Sequence, residues 1–314
     1  MRLKVTDFYK TYGIALGLEW SGKEVEGVIE KPRVQRPGLT LAGAVKDRSY
    51  HSLLIFGRME LKFLKGLTSE EREKRLRDLV TRKTPCVIVS RGLAPPKELM
   101  KLCKTLDIPL FKTEMASMPL QTKIAMLLTD YFAPTESVHG TLVEAYGIGV
   151  LIQGDSSVGK SEAALGLIER GHRLISDDVV LLKTREGVGL IGCGHELNKH
   201  FLELRGIGIV NVAHLYGAVS VRKEVPIDMV IHLEEWDETH YYDRVGLEER
   251  FKEFLGVRVP MYLHPVKPGR DTVLLIETTL LNYRLKEMGY HSAKEFNQKL
   301  LEEIARKKSL ERKS

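Results

Sequence analysis

The amino-acid sequence predicts an α/β protein of two domains, a small N-terminal α/β domain at residues 1–132 and a C-terminal domain at residues 133–314 that finishes in helices. Three observations lead to this prediction. The chain has 314 residues, which exceeds the usual size of one domain. In its first part, short apolar segments alternate with helical segments, as in a parallel sheet covered by helices. In its second part, residues that favour strands dominate until two segments with helical spacing.

The elements of the N-terminal domain become clear only after residue 40. The first forty residues carry little periodicity, and residues 31–38 contain two prolines and a glycine, which indicates a loop. Further along, the predicted elements are a charged helix at 69–82, a strand at 86–89, a helix at 95–105, a strand at 108–111 and a helix at 119–132. We place the linker between the domains at residues 132–137, where an Ala-Pro pair ends the last helix.

The C-terminal domain is predicted to open with a β-hairpin at residues 141–153 that turns at Gly147. Further strands are expected at 179–183, 189–191, 202–212 and 229–233. Two helices, at 278–286 and 293–307, close the chain and are separated by a break at Gly289.

Composition excludes several classes of protein. The net charge of +6 is spread along the chain, and its densest run, residues 305–314, is expected to be a solvated tail. No stripe of aromatic and basic residues indicates nucleic-acid binding. No run of 18 apolar residues and no signal peptide are found, so we expect a cytoplasmic protein without a membrane segment. The three cysteines include no Cys-x-x-Cys pair, so neither a disulfide framework nor a zinc site is expected.

The strongest local signal is a full G-x-x-x-x-G-K-[ST] pattern between an apolar strand and a helix-forming run. Its residues are Gly154, Asp155, Ser156, Ser157, Val158, Gly159, Lys160 and Ser161. In such a loop, backbone N–H groups point at phosphate oxygens, Lys160 neutralises the β and γ phosphates, and the Ser161 hydroxyl coordinates Mg²⁺. The expected ligand is therefore a nucleoside triphosphate or pyrophosphate.

Segment lengths bring two carboxylates to the level of these phosphates. Residues 161–170 form a helix of about 15 Å, which Gly171 ends, and residues 172–176 form a strand that returns about 16 Å. Asp177 and Asp178 should therefore lie beside the phosphate loop, where they could bind Mg²⁺ or accept a proton. The alternative for this pair is an N-terminal cap or a turn, which aspartate also favours.

The same reasoning applies to the predicted hairpin. If Gly147 is its turn, six residues run out and six run back, so His139 lies opposite the start of the phosphate loop. The alternative for a single histidine is a structural role. The lengths alone therefore predict that a loop, two aspartates and a histidine converge.

Several segments resemble the HPr kinase/phosphorylase family. The central one is residues 137–180, with its histidine-glycine pair, phosphate loop, arginine-glycine-histidine run and paired aspartates. Residues 36–43, 85–89, 201–212, 236–246, 264–270 and 288–296 resemble other parts of the family, so the similarity covers nearly the whole chain. One departure is Ser157, which stands where the family usually has glycine. That backbone position must accept a Cβ, or the loop is slightly reshaped.

The resemblance implies a C-terminal P-loop domain like the core of phosphoenolpyruvate carboxykinase, and a hexamer. Members transfer phosphate from ATP, or pyrophosphate, to a serine of the phosphocarrier protein HPr, and remove it by phosphorolysis with inorganic phosphate, thereby regulating carbon metabolism. Two alternatives remain, a P-loop kinase of another protein or of a small molecule, and an inactive nucleotide-sensing regulator.

The resemblance also implies roles for individual residues. Ser161 and Glu203 would bind Mg²⁺, and Asp178 would accept the proton in phosphorylation and return it in the reverse reaction. His139 and Asp177 would orient Asp178, and Arg244 would steady the transferred phosphoryl group. The segment assigned to dephosphorylation consists of Pro265, Val266, Lys267, Pro268, Gly269 and Arg270. Without the family, Glu203 is equally an outward residue of a strand, and Arg244 and residues 265–270 are ordinary loop residues.

Overall fold

The computed structural model of the chain describes residues 2–22, 24–44, 51–195, 198–240, 242 and 248–311. The chain divides into two compact units, Met1–Ala133 and Pro134–Ser314. Both units combine sheets with helices, which confirms the predicted α/β class. No helix in the described ranges is long and apolar enough to cross a membrane.

The N-terminal unit contains a mostly parallel sheet, with β2 as an antiparallel edge strand, between two layers of helices. Its elements are β1 (Leu3–Lys4), α1 (Val5–Tyr12), β2 (Glu19–Trp20), β3 (Val28–Ile29), β4 (Val34–Gln35), α2 (Gly38–Ala42), β5 (Leu53–Phe56), α3 (Arg58–Lys65), α4 (Ser69–Leu79), β6 (Val87–Val89), α5 (Lys97–Leu106), β7 (Leu110–Lys112) and α6 (Ser117–Phe132). The sheet order is β2-β7-β6-β5-β4, and β4 to β7 are parallel to one another. Separate apolar clusters fill the two faces, one including α1 and α6, the other α3, α4 and α5.

The predicted helices and strands of this unit after residue 68 are all present, with ends that differ by a few residues. The first forty residues contain more structure than their pattern indicates, because α1 and four strands lie there. Each of those strands has two residues, which is too short for an alternating pattern to be visible. Among them, β4 lies inside the segment predicted to be a loop.

The C-terminal unit is richer in strands. Its elements are β8 (Thr135–His139), β9 (Thr141–Ala145), β10 (Ile148–Gly154), α7 (Lys160–Glu169), β11 (Arg173–Ser176), β12 (Val179–Arg185), β13 (Gly189–Gly194), β14 (Phe201–Leu204), β15 (Gly208–Asn211), α8 (Val212–Tyr216), a 3₁₀ turn (Ala218–Ser220), β16 (Glu224–Pro226), β17 (Met229–Glu235), β18 (Arg250–Phe254), β19 (Val257–Val266), α9 (Thr272–Glu287) and α10 (Ser292–Glu311).

Two larger sheets, the two-stranded β14–β15 sheet and a helical layer make up the described part of this unit. The larger sheet has the order β11-β9-β10-β17-β19-β18, and the smaller has the order β16-β13-β12-β8. One apolar cluster lies between the larger sheet and helices α7 and α9, and a second lies between the two sheets. Strands β10, β11, β17 and β19 run in the same direction, because β9 is antiparallel to both β10 and β11. Their carboxyl ends therefore share one edge, where open α/β sheets commonly bind ligands.

The predicted hairpin is present, with its turn at Tyr146 and Gly147, whose φ angles are 53° and 78°. The predicted linker differs from the structure, because β8 begins inside it and pairs with β12, forty-odd residues along the chain. The segment at 202–212 is divided at Gly206 into β14 and β15. The two closing helices are longer than predicted and are separated at Gly289, where φ is 90°.

Ser157 lies in the left-handed backbone region, with a φ of 74°. This region costs a residue with a Cβ roughly 1–2 kcal/mol, whereas glycine adopts it freely. We predict that Ser157→Gly raises the free energy of unfolding of the C-terminal unit by about 1 kcal/mol, because the gain exceeds the added entropy of the unfolded chain. In a Trp20→Phe background, Trp236 is the remaining tryptophan and its fluorescence reports urea unfolding of this unit.

The matched control for this change is Ser156→Gly. Ser156 is not among the described residues with positive φ, so glycine there should lower stability by about 0.5–1 kcal/mol. Equal destabilisation by the two substitutions would contradict the interpretation that Ser157 is strained.

His264 packs against α9 and is held in its neutral form. Its Nε2 lies 3.0 Å from Thr279 Oγ1, whose own hydrogen is donated to the Leu275 carbonyl. Nε2 must therefore carry the proton, and the buried Nδ1 has no hydrogen-bond partner among the described residues. Burial, with a smaller contribution from Arg270, lowers the pKa of His264 to about 4.

We predict that this histidine makes stability depend on pH. Its folded pKa is below its unfolded value, so its contribution is complete above pH 6.5 and is lost as pH falls towards 4, up to about 3 kcal/mol. Urea unfolding across this range should show a shallower pH dependence in His264→Gln than in the wild type. His214→Gln, at an exposed histidine, is the control and should keep the wild-type slope. Identical slopes in His264→Gln and the wild type would contradict the assignment.

Candidate active site

The phosphate loop connects the end of β10 to the start of α7. Gly154 has a φ of 141°, and a Cβ there would collide with the Leu233 carbonyl oxygen of the neighbouring strand, so only glycine fits. Val158 is buried in the core under the loop, whereas residues 155–157 are exposed. The Val158 side chain therefore anchors the loop in the core, while residues 155–157 remain accessible to solvent.

Lys160 closes over this loop. Its Nζ donates hydrogen bonds to the carbonyl oxygens of Gly154 (3.0 Å) and Asp155 (2.7 Å). The ammonium group is therefore held at the mouth of the loop, where the negative charge of a phosphate would be neutralised.

Asp177 is the buried centre of the site, with 5% of its surface exposed. Its carboxylate accepts hydrogen bonds from Thr141 Oγ1 (2.6 Å), from Ser161 Oγ (3.0 Å) and from the backbone N–H of Glu203 (3.2 Å). The predicted return of β11 to the level of the loop therefore brings Asp177 to the first turn of α7.

Asp178 and His139 form an exposed pair beside this centre. Asp178 has a φ of 64°, and its side chain is 71% exposed. His139 Nδ1 lies 3.8 Å from Asp178 Oδ1, and the register of β8 and β12 places His139 opposite Val179. The His139 carbonyl also accepts a hydrogen bond from Gln153 Nε2 (2.9 Å), which ties this pair to the residue before the phosphate loop.

Three further residues belong to this arrangement, although sequence reasoning did not single them out: Thr141, Gln153 and Lys252. Lys252, on the edge strand β18, donates to Gln153 Oε1 over 2.6 Å. No motif marks these residues, because their roles depend on strand register and on a contact across 99 positions of the chain.

The segment assigned to dephosphorylation spans the end of β19 and the turn after it. Arg270 N–H donates to the Lys267 carbonyl (3.0 Å), which closes the turn. Lys267 and Arg270 lie 5.7 Å and 5.8 Å from the ring of Trp236, which follows β17. Both cations therefore lie near the carboxyl ends of β17 and β19.

Two of the predicted residues, Arg244 and Glu203, are not among the side chains that the described structure brings together. Arg244 lies outside the described residues. Glu203 is exposed, and it contacts Asp177 through its backbone N–H. The structure thus joins Ser161 to Asp177, with Lys160 beside Ser161 in the first turn of α7 and with His139 and Asp178 next to Asp177.

The oxygen donors at this point suit Mg²⁺. The Ser161 hydroxyl and the Asp177 carboxylate are hard ligands 3.0 Å apart, and Mg²⁺ usually takes one or two such groups together with waters and phosphate oxygens. Within the described ranges, no cluster of three or more His, Cys, Asp or Glu side chains could hold a metal ion by itself. The donor set therefore fits an ion that arrives with a bound phosphate.

Comparison with known proteins assigns the chain to a family. The family profile described as "HPr Serine kinase C-terminal domain" matches residues 130–300, and "HPr Serine kinase N terminus" matches residues 3–128. A relative named HPr kinase/phosphorylase from Treponema pallidum (strain Nichols) is 44% identical over 269 residues, 85% of this chain and 84% of the relative.

A second relative with the same name, from Listeria monocytogenes serotype 4a, is 42% identical over 276 residues, 88% of each chain. A solved structure, "Structure of the Hpr(Ser) kinase/phosphatase from Coxiella burnetii", is 36% identical, with a TM-score of 0.47, and covers 51% of this chain and 98% of that one. Because the two profiles together span most of the sequence and the relatives match over most of their length, the chain belongs to the HPr serine kinase family.

Proposed function

We propose that this chain is a bifunctional kinase and phosphorylase of the phosphocarrier protein HPr, which phosphorylates a serine with ATP or pyrophosphate and removes that phosphate with inorganic phosphate. The observation that carries the proposal is that two adjacent aspartates lie in different environments. Asp177 is buried against the first turn of α7, and Asp178 is exposed beside His139. The named relatives support the identity of the protein substrate.

In the forward direction, the loop N–H groups and Lys160 hold the triphosphate. The Asp178 carboxylate takes the proton of the substrate serine, whose oxygen then bonds to the γ-phosphorus as the bond to the β-phosphate oxygen breaks. ADP leaves with the charge of that oxygen, which Lys160 offsets. Bound with the phosphates, Mg²⁺ would be held by Ser161, Asp177 and Glu203 and would neutralise further charge.

In the reverse direction, protonated Asp178 returns its proton to the serine oxygen. An oxygen of inorganic phosphate bonds to the phosphorus of phosphoserine, the phosphorus–serine bond breaks, and pyrophosphate and free serine are the products. We assign Arg270 and its turn to the incoming phosphate and Arg244 to the transferred phosphoryl group. The hexameric state, the cytoplasmic location and the regulation of carbon metabolism are part of the proposal and rest on the family resemblance.

The test of this function uses purified protein, ATP, Mg²⁺ and HPr. We expect mass spectrometry to find one phosphate on a serine of HPr, and we expect phosphorylated HPr with inorganic phosphate to release pyrophosphate. A kinase of another substrate would leave HPr unmodified, and a nucleotide sensor would bind ATP without transfer. Failure to form pyrophosphate, with phosphorylation intact, would remove the phosphorylase half of the proposal.

The roles of the two aspartates lead to a paired prediction. Asp178→Asn keeps the size of the side chain but cannot accept the proton, so both directions should slow by about 10² to 10⁴-fold while MgATP binding is retained. Asp177→Asn should instead weaken MgATP binding about 10 to 100-fold, because it disturbs the group that orients Ser161.

Calorimetric titration with MgATP and single-turnover assays separate these outcomes. Loss of ATP affinity in Asp178→Asn would make Asp178 a metal ligand. Near-normal turnover in that variant would move the proton-accepting role to Asp177 or His139.

A further inference from the structure

Glu277 of α9 is a buried carboxylate at which three parts of the C-terminal unit meet. It is 9% exposed. Its oxygens accept hydrogen bonds from Arg170 Nη1 (2.5 Å), from His172 Nε2 (3.0 Å) and from the hydroxyl of Tyr146 (3.4 Å). The rings of Tyr146 and His172 also pack edge to face, with centroids 4.7 Å apart.

The Glu277 carboxyl is charged at neutral pH. Burial by itself raises its pKa, but hydrogen bonds from Arg170 and His172 outweigh this and hold the pKa below its usual value. An ionised carboxylate can only accept, so His172 must donate from Nε2. Removing any one donor would leave a buried charge less compensated.

The three donors lie at the far ends of the elements that carry the site. Arg170 follows α7, which starts with Lys160 and Ser161. His172 precedes β11, which ends next to Asp177. Tyr146 is in the turn before β10, which leads into the phosphate loop. Glu277 therefore contacts α7, β11 and the β9–β10 turn at their ends away from the phosphate loop.

Arg170 also contacts Asp271, which follows the turn at residues 267–270 in the segment assigned to dephosphorylation. Its Nη2 lies 3.0 Å from Asp271 Oδ2, and Asp271 caps α9 by accepting the Leu274 N–H over 2.9 Å. Close packing supports this connection, since a Cβ at Gly166 on α7 would collide with Val273 on α9. The Arg170 guanidinium therefore connects Asp271, the residue after Arg270, with the buried carboxylate of Glu277.

Within the described ranges, the side chain of Arg270 makes two weak contacts. Its Nη1 is 3.4 Å from the Pro265 carbonyl, a long hydrogen bond, and its stacking distance from Trp236 is 5.8 Å. Besides the bond from its own N–H to the Lys267 carbonyl, the anchor at the next residue, Asp271, constrains where this arginine lies.

We propose that Arg170 is a positioning residue for phosphorolysis: by binding Asp271 and Glu277 together, it sets the turn that holds inorganic phosphate relative to the phosphate loop. The inference rests on the proposed function, because it deepens the role of the same site. Phosphorylation by ATP needs the loop, Lys160 and Asp178, whereas phosphorolysis also needs the turn, so the reverse reaction is the more sensitive of the two.

The test compares both reactions in Asp271→Asn and Arg170→Lys. Asparagine keeps the helix cap but loses the charge for Arg170, and lysine keeps a charge but cannot bridge two carboxylates. We expect the KM for inorganic phosphate to rise about tenfold or more in both variants. The kinase rate should stay within about twofold of wild type in Asp271→Asn, which leaves the Arg170–Glu277 pair in place, and should fall less than phosphorolysis in Arg170→Lys. In the Trp20→Phe background, the emission of Trp236 should also shift, because Lys267 and Arg270 lie over its ring.

Arg222→Gln is the matched control. Arg222 pairs with Glu144 over 2.6 Å, with side-chain exposures of 44% and 11%, close to the 40% and 11% of Arg170 and Glu277. Its partners, Glu144 and the Leu174 carbonyl, lie on β9 and β11 and not on α9. Both rates and the Trp236 emission should remain as in the wild type, with thermal unfolding confirming that each variant is folded.

Three outcomes would overturn the inference: equal loss of both reactions in Asp271→Asn, a selective loss in Arg222→Gln, or unchanged Trp236 emission in the two test variants. Wild-type protein that phosphorylates HPr but releases no pyrophosphate would instead defeat the proposed function, and this inference with it. The wild-type assay therefore separates the two failures.

Discussion

The buried carboxylate of Asp177 is the interaction on which the geometry of the site depends. Isolating such a charge from water costs several kcal/mol unless hydrogen bonds compensate for it. Here Thr141, Ser161 and the Glu203 N–H supply those bonds from β9, α7 and β14. The requirement to satisfy one carboxylate therefore fixes the first turn of α7, and with it Lys160, against the larger sheet and the β14–β15 hairpin.

The neighbouring position shows how a one-residue step changes the chemistry. The left-handed conformation of Asp178 turns its carboxylate out to solvent, where it meets His139 rather than the core. A group that must exchange protons with a protein substrate has to be reachable, whereas a group that orients a hydroxyl works best when it is rigid. Exposed Asp178 meets the first requirement and buried Asp177 meets the second, so the environment of each aspartate suits its proposed role.

The opposite ends of the same elements are also connected by hydrogen bonds. Glu277 gathers Arg170, His172 and Tyr146, so α7, β11 and the β9–β10 hairpin are restrained at both ends. Rigid helices and strands transmit a displacement at one end to the other, because interiors are close-packed. Arg170, at the end of α7 opposite to Lys160, is therefore connected through this helix to the phosphate loop.

The sequence by itself determined the α/β class, the phosphate loop, the return of β11 to the loop and the turn at Gly147, because these depend on local turn chemistry and on segment lengths. Only the tertiary structure decided which aspartate binds Ser161 and that β8 is a strand. It also decided that Gln153 and Lys252 connect to His139, and that Glu277 binds Arg170 and His172. Those outcomes depend on strand register and on contacts as far as 131 positions apart, such as Tyr146 with Glu277. No local pattern encodes such pairings, since the same residues would form ordinary strands and helices with other partners.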